Sequence, residues 1–382
     1  MAKKNNIPEV DIIVDEKAGV IREVEPDKKL RSKKGHERRV NGAIYAILIL
    51  MSIIWLCPFV FLVLQSFRGE SGGQVAYVIP KQWTLDNYAF LFQGVGFSLQ
   101  TLVKDLPNII LTVITNVLGI WGMVAFLRRK PKNPIEKTKG NLKAAALVFG
   151  VLLLINFMRC VDSTNCDFVR WFMNTLTIAL FCAVIQTVMV LSVSYTLSRM
   201  RFKGRKLIMN VVLVLGMFPG FLTMIVLYYL LKMFGLTQAG AVPGLILISC
   251  ASSGMGYYIS KGFFDTIPKS LDESARIDGA TRFQVFLKII MPMAKPIVIY
   301  TILMAFMGPW GDYVFASYVA FGHKASYNVA VGLYRWVNTN DYQGYFTRFC
   351  AGGVLVAIPI TVLFMALQKY YVEGVTGGAV KG

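Results

Sequence analysis

The chain has 382 residues, of which 55% are hydrophobic and only 16% are charged. Soluble domains carry about 25% charged residues, so this composition indicates a membrane protein. The formal net charge of +19 does not indicate a nucleic-acid-binding protein, because the basic stretches 28–39, 127–143 and 199–206 each border an apolar run. Basic residues in such positions are typical of the cytoplasmic ends of membrane spans.

Apolar runs along the chain predict an all-α, polytopic membrane protein with about eight transmembrane helices. Most runs are close to the roughly 20 residues that a helix needs to cross the hydrocarbon core. The predicted spans are 43–65, 106–127, 142–158, 174–198, 207–231, 241–262, 295–317 and 351–370.

Both ends of the chain are predicted to lie in the cytoplasm, as parts of a multi-pass plasma-membrane protein. With the N-terminus inside, most of the 40 lysine and arginine residues fall in inside segments, which agrees with the positive-inside rule. The polar tail 1–42 is expected to have little fixed structure and no secretory signal peptide, since the first apolar run begins only at Ala43. The glycine-rich C-terminal tail, 371–382, is expected to be flexible.

An external loop, 66–173, is predicted between the first span and the core of the protein, 174–370. The loop contains an inserted transmembrane hairpin, 106–158, whose removal would leave six spans in the same orientation. The apolar core of its second arm, 144–158, has only 15 residues, so a full crossing and a shallower insertion both stay open. A disulfide between Cys160 and Cys166 also stays open.

The segment 263–295 separates two predicted spans and is patterned like folded protein. Ser270 and Glu273 have the spacing of a capping box, in which each side chain bonds to the other residue's backbone amide. This spacing predicts a short helix, and Gly279 is placed to end that helix, because glycine tolerates the left-handed conformation found after helices.

A second helix is predicted after this glycine turn. Thr281 and Gln284 have capping-box spacing, and Pro292 and Pro296 mark the end of the helix. Four residues at helical spacing predict one apolar face: Phe283, Phe286, Leu287 and Ile290. The pattern fits an amphipathic connector against lipid headgroups, and it equally fits a docking element for a cytoplasmic partner.

Residues of this segment resemble the EAA motif of the permease subunits of ABC importers, which reads E-A-A, three residues, G, nine residues and I-x-L-P. Serine replaces the first alanine of the motif, and Met291 replaces its leucine. The C-terminal stretch 374–382 resembles the end of the shorter permease subunit of maltose-type carbohydrate importers, and the whole likeness covers about 43–92 and 167–382. The residues matched to the motif and its surroundings are Glu273, Ser274, Ala275, Asp278, Gly279, Ala280, Ile289 and Pro292.

The resemblance implies a non-enzymatic subunit of an ATP-driven importer for a sugar, such as maltose or maltodextrin. It implies four partners, namely a second permease subunit, two cytoplasmic ABC ATPase subunits and an external solute-binding protein. Segment 263–295 would couple this chain to the ATPase, which uses ATP. The chain itself is expected to bind no cofactor, since it has no G-x-x-x-x-G-K-[ST] phosphate loop. A permease for another solute, such as a sugar phosphate or a polyamine, and a self-contained secondary transporter stay open.

Several residues in or near the spans are further candidates for function. Asp312 is expected either at the transport pathway or subunit interface, or simply at the water boundary. Trp310 and Pro219 are predicted with it as pathway or gate residues. Pro219 should also kink its span, and an ordinary membrane-helix proline without a gating role fits it equally well. With two histidines and no HExxH pattern, the sequence predicts no metal site and no catalytic site. The resemblance implies contacts with the binding protein at Asn338, Asn340, Asp341 and Tyr342.

Overall fold

The computed structural model describes residues 12–15, 20–23, 28–69, 77–97, 106–127, 146, 149–150, 153–157, 159–163, 166–251, 254–338 and 345–379. Nearly all of the described secondary structure is helical, which confirms the predicted all-α membrane fold. The chain divides into two compact units, Met1–Phe61 and Leu62–Gly382.

The N-terminal unit contains a small hairpin and most of a long helix. Strand β1 (Ile12–Asp15) pairs antiparallel with β2 (Val20–Glu23), and helix α1 runs over Lys28–Ser66. The expectation of little fixed structure up to residue 42 is therefore wrong in part, because lysine, arginine and glutamate before the apolar run favour helix. Residues 39–60 are exposed throughout, as expected for a helix surrounded by lipid.

The second unit consists of helices joined by short connections. A strand pair, β3 (Val95–Phe97) with β4 (Val161–Ser163), closes the base of the inserted hairpin. Two short 3-10 helices lie at Gln238–Gly240 and Lys324–Ser326. The helices that follow α1 are α2 (Asp86–Leu91), α3 (Leu106–Leu127), α4 (Phe168–Arg199), α5 (Arg205–Gly216), α6 (Gly220–Met233), α7 (Ala241–Ala251), α8 (Gly254–Thr266), α9 (Ser270–Ile277), α10 (Arg282–Met293), α11 (Lys295–Gly311), α12 (Val314–Val319), α13 (Val329–Asn338) and α14 (Phe346–Ala379).

Four of the described helical segments are long and apolar enough to cross a membrane, and the number rises to six if each of two bent pairs counts as one span. The bent pairs are α5 with α6, at 101°, and α10 with α11, at 85°. These six correspond to the spans predicted outside the hairpin. The predicted count of eight is not confirmed, because α3 contributes only the shorter apolar stretch Ile109–Val124 and most of 142–158 lies outside the described residues.

Polar contacts join the two arms of the inserted hairpin. The side-chain amides of Asn116 and Asn156 face each other, with Asn156 Nδ2 donating to Asn116 Oδ1 over 3.2 Å. One turn away, Arg159 Nη1 donates to Thr112 Oγ1 over 2.8 Å. Hydrogen bonds of this kind between membrane helices contribute about 0.6 kcal/mol each on average. The neighbouring Cys160 and Cys166, for which a disulfide was left open, are both free thiols.

Helix α4 is the centre of the second unit and contacts α7, α8, α11 and α13. Near its N-terminus, Trp171 Nε1 donates to the carbonyl of Lys324 over 2.9 Å. A Cβ atom at Gly332 of α13 would lie 1.9 Å from Trp171 Cε3, so α13 approaches the indole ring as closely as glycine allows. At the other end of the chain, α14 continues to Ala379. The predicted tail is therefore helical up to Ala379, because extending an existing helix is easier than nucleating one, and its flexibility stays a prediction.

Candidate functional site

The predicted helical pair of segment 263–295 is present, and its first helix is α9. The capping box predicted for Ser270 and Glu273 does not form. Lys269 occupies the N-cap position without any side-chain cap bond, and its helical φ of −69° and ψ of −24° show that the chain already turns there. Ser270 is consequently the first helical residue, and its backbone lacks the extended conformation that an N-cap residue has.

The turn after α9 confirms the prediction for Gly279. Its φ of +81° lies in the left-handed region, where glycine has no steric cost. The amide of Gly279 donates to the carbonyl of Arg276 over 3.1 Å, and the amide of Ala280 donates to that of Ala275 over 3.0 Å. These two bonds form a Schellman motif, which satisfies carbonyls that the helix end would leave without donors. The direction in which the chain leaves α9 is thereby set by local hydrogen bonds.

The second predicted capping box is present at the start of α10. The Gln284 amide donates to Thr281 Oγ1 over 3.3 Å, and the Thr281 amide donates to Gln284 Oε1 over 2.9 Å. The helix ends at Met293, and the chain bends by 85° at Ala294 into α11. Pro292 and Pro296 have no N–H to donate, so they cannot continue the hydrogen-bond ladder through this bend.

The apolar face of α10 differs from the predicted one. Phe283 is 68% exposed and Leu287 is 47% exposed, whereas Val285 and Ile290 are buried in the cluster beneath the helix. The reason is a π-helical turn over Phe286–Ile290. A π-helix has i→i+5 hydrogen bonds in place of i→i+4, so Val285 and Ile290 come to lie on the buried side while Leu287 lies on the exposed side.

Arg199, the last residue of α4, ties α9 to the ends of two membrane helices. Its Nη2 atom donates to the carbonyls of Phe264 and Ile267 over 3.0 and 2.8 Å, and its Nε atom lies 3.3 Å from Asp272 Oδ2. The side chain of Arg199 is only 5% exposed. Burial raises the pKa of Asp272 despite the attraction of Arg199, and the like charge of Glu273 raises it further. The ion pair is therefore a desolvated contact rather than a surface one.

The residues matched to the motif lie on two sides of this helical pair. Ala275 is buried against the membrane helices, and Ala280 and Ile289 are half-buried. The exposed motif residues are Glu273, Ser274, Asp278, Gly279 and Pro292. Beside them, Ile277 is 86% exposed. The segment thus exposes polar motif residues together with two large apolar side chains, Ile277 and Phe283. The role of each motif residue stays a prediction.

Asp312 acts as a helix cap and lines a cavity. Its Oδ1 atom accepts a hydrogen bond from the amide of Phe315 over 3.2 Å, and its carbonyl accepts one from Asn328 Nδ2 over 2.6 Å. The cavity has a volume of about 250 Å³ and is also lined by Gln186 and Ser249. The pathway and water-boundary alternatives for Asp312 both stay open, and its role in transport stays a prediction.

Trp310 and Pro219 occupy structurally distinctive positions. Trp310 is 4% exposed and packs edge-on against Phe172. Its buried Nε1 atom has no hydrogen-bond partner among the described residues. Pro219 lies in the 101° bend between α5 and α6, so the predicted kink is present. The gate function of both residues stays a prediction.

Of the residues predicted to contact a binding protein, only Asn338 can be placed. It is the last residue of α13 and is exposed. The other three lie outside the described residues: Asn340, Asp341 and Tyr342. Sequence reasoning missed Arg199 and Asn328, since an arginine at a span end and an asparagine in a loop carry no signal for the distant carbonyls that they bind.

Comparison with known proteins gives a consistent result. The family described as "Binding-protein-dependent transport system inner membrane component" matches residues 176–377. The galactooligosaccharides transport system permease protein GanQ of Bacillus subtilis is 38% identical over 56% of this chain and 75% of its own length. The maltodextrin transport system permease protein MdxG of the same organism is 37% identical over 64% of this chain and 86% of its own length.

One solved structure has a similar fold. It is the crystal structure of a bacterial ABC transporter involved in the import of the acidic polysaccharide alginate. The match has a TM-score of 0.57 and 17% sequence identity, and it covers 88% of this chain and 98% of that chain. At this identity the likeness concerns the fold alone.

Proposed function

Because the chain belongs to the family of binding-protein-dependent transport system inner membrane components, we propose that it is the membrane-spanning permease subunit of an ATP-driven ABC importer that translocates a sugar. The family membership confirms the resemblance seen in the sequence. The relatives are transport permeases, which agrees with the prediction that the chain is not an enzyme.

The proposed substrate is an oligosaccharide of the maltose or maltodextrin class. MdxG of Bacillus subtilis and MalD of Streptococcus pneumoniae are both named for maltodextrin transport, and GanQ is named for galactooligosaccharides. Their shared chemistry supports a short chain of neutral hexoses more strongly than a sugar phosphate or a polyamine. Uptake of radiolabelled maltotriose, with galactooligosaccharides as competitor, distinguishes the two oligosaccharide classes.

The proposed assembly follows from the same family. The chain pairs with a second permease, two cytoplasmic ABC ATPases and an external binding protein, and ATP is used by the ATPases. No nucleic acid takes part. Both termini are proposed to lie in the cytoplasm of a plasma-membrane protein, in line with the distribution of basic residues.

The observation that carries this proposal is the construction of segment 263–295. Its exposed edge ends in Ile277 and Phe283, while Ala275 and Ile290 anchor it to the cluster beneath. Arg199 links it to the ends of α4 and α8. A displacement applied at the exposed edge would therefore reach the membrane helices through rigid contacts. Such a linkage suits an importer whose inward-facing and outward-facing states are biased by ATP binding to a partner.

The docking role can be tested at Gly279. No atom lies within 4 Å of a Cβ atom built there, but its φ is +81°. Asparagine and aspartate both tolerate the left-handed conformation, so Gly279→Asp and Gly279→Asn place side chains of equal size on the same backbone. We expect Gly279→Asp to abolish ATPase binding and sugar uptake, because it adds a negative charge to the exposed edge. Gly279→Asn should retain more of both.

The measurement is a pull-down of the tagged chain from detergent-solubilised membranes. Wild type should recover an ABC ATPase and a second permease, and Gly279→Asp should lose the ATPase while inserting normally. Loss of the ATPase from both variants would also support docking, through close approach rather than charge. Full ATPase recovery and uptake with Gly279→Asp would refute the docking role. A wild-type chain recovered alone or as a homo-oligomer would favour a secondary transporter instead.

A further inference from the structure

A basic cleft lies between α9 and the connection from α4 to α5. It has a volume of about 420 Å³ and is lined by six cationic and only two acidic side chains. One pair of these charges, Arg199 with Asp272, is already joined. The five remaining cations are Arg201, Arg205, Lys269, Arg276 and Arg282.

These five cations are only partly compensated within the part of the chain that the structure describes, where Arg205 interacts electrostatically with Asp265. None of them forms a salt bridge with another described residue, and Glu273 is the one further acid in the lining. Cations held this close repel one another, so the cleft is electrostatically prepared for an anion. Arginine is suited to phosphate because its planar fork donates two parallel hydrogen bonds.

The position of the cleft indicates the source of the anion. The span formed by α4 ends at Arg199, and the next span begins with Arg205, so the cleft opens where two membrane helices leave the hydrocarbon. Between them, Phe202 is 40% exposed and lies next to Arg201 and Lys203 in the chain. An aromatic side chain flanked by cations is typical of a segment at the level of the lipid headgroups.

The lining of the cleft shares Glu273 with the exposed motif residues but otherwise differs from a protein-docking surface. Interfaces between proteins combine an apolar centre with a polar rim, but here only Tyr195, Met200 and Val285 contribute apolar surface. Two exposed apolar residues of segment 263–295, Ile277 and Phe283, are not part of the cleft lining. Basic pockets between membrane helices on the cytoplasmic side are known to hold anionic lipid headgroups.

We infer that this cleft is a binding site for the phosphate headgroup of an anionic phospholipid of the cytoplasmic leaflet, such as phosphatidylglycerol. The inference uses the membrane orientation proposed above and does not depend on which solute is transported. Since Asp272 and Arg276 of α9 form one wall of the cleft, a bound headgroup would contact α9 directly. Lipid composition would then influence the position of that helix.

The experiment is native mass spectrometry of the tagged full-length chain, purified with the subunits that accompany it. Phosphatidylglycerol is titrated against phosphatidylcholine, which carries no net charge. The test variant is Arg201→Gln with Arg205→Gln. The matched control is Lys203→Gln with Lys206→Gln, which removes the same charge from the same connection at two exposed residues outside the cleft.

We expect wild type and the control to bind phosphatidylglycerol with affinities within about threefold of each other. The test variant should bind roughly 30-fold more weakly, because each basic residue near an anionic headgroup contributes about 1 kcal/mol and 1.4 kcal/mol corresponds to a factor of ten. Melting temperatures of all forms should agree, which excludes misfolding; if the test variant unfolds early, Arg201→Lys with Arg205→Lys should restore both stability and binding.

Three results would overturn the inference. Equal weakening in test and control variants would indicate a general surface charge effect. Displacement of the lipid by inorganic phosphate at equal concentration would indicate a site for free phosphate. Lipid binding that disappears whenever the ATPase is bound would assign the cleft to an acidic surface of that partner. Because binding is measured directly, failure here leaves the transport proposal intact, and failure of transport leaves this result interpretable.

Discussion

Replacing Arg199 by alanine should loosen α9, the first helix of the coupling segment 263–295, from the ends of α4 and α8. The change removes two hydrogen bonds to the carbonyls of Phe264 and Ile267, and it leaves the carboxylate of Asp272 without its cation. Breaking a buried ion pair by removing one partner costs about 3–5 kcal/mol. For 382 residues, at an unfolding entropy of about 2.1 cal/mol/K per residue, this loss corresponds to a fall in melting temperature of about 4–6 °C.

The assay is thermal unfolding of the purified chain in detergent, together with recovery of the ATPase in the pull-down. Arg199→Lys should give an intermediate melting temperature, since an ammonium group keeps the charge but cannot reproduce the planar fork of donors. Adding Asp272→Asn to Arg199→Ala should restore part of the lost stability, because it removes the unpaired buried charge. Lys203→Ala, at an exposed residue four positions away, is the control.

The reasoning would be refuted by an Arg199→Ala chain that melts together with the Lys203→Ala control and recovers the ATPase in full. A melting temperature that falls while ATPase recovery is unchanged would leave Arg199 with a purely structural role. Only a loss of both, with partial rescue by lysine, supports Arg199 as a positioning residue for the coupling segment.

Two further predictions concern the packing of α13 and the titration of Asp272. Gly332→Ala should lower the free energy of unfolding by about 1–3 kcal/mol or more through overpacking, because the new Cβ would lie 1.9 Å from the Trp171 ring. The control is Gly262→Ala, since Gly262 has open space around it. Equal melting temperatures for the two variants would contradict the prediction. The raised pKa of Asp272 means that folding favours the protonated carboxyl. The stability that Asp272 contributes to the fold is therefore fully present below its unfolded pKa of about 3.9, and it is lost as the pH rises through the pKa of the folded state. The melting temperature of Asp272→Asn minus that of wild type should therefore rise between about pH 4 and pH 7, and a constant or falling difference would count against it.

The features of the coupling segment that could be predicted from sequence are those with local causes. The turn at Gly279 and the capping box of Thr281 with Gln284 depend on hydrogen bonds between residues no more than five positions apart. The predicted box at Ser270 fails for a reason of the same range, since the backbone already turns at Lys269. A spacing pattern alone does not determine at which residue a helix begins.

The apolar face of α10 could not be predicted in the same way. A periodicity of 3.6 residues assumes an α-helix throughout, whereas the π-turn over Phe286–Ile290 shifts the face to Val285 and Ile290. Which residues face inward is decided by the cluster that the helix meets. That cluster includes Leu191 and Phe264, which belong to other helices.

By itself the sequence determined the membrane class of the chain, six of its spans, the helical coupling segment and the family likeness, because hydrophobic length, local hydrogen bonds and motif spacing are properties of neighbouring residues. Only the tertiary structure decided that Arg199 reaches the carbonyl of Ile267, 68 positions away, that Gly332 meets the Trp171 ring, and that five cations from two separate segments line one cleft. These contacts join residues far apart in the chain. They form only when packing of the apolar helices brings the span ends together, since the free energy that holds them comes from burial across the whole fold rather than from any one segment.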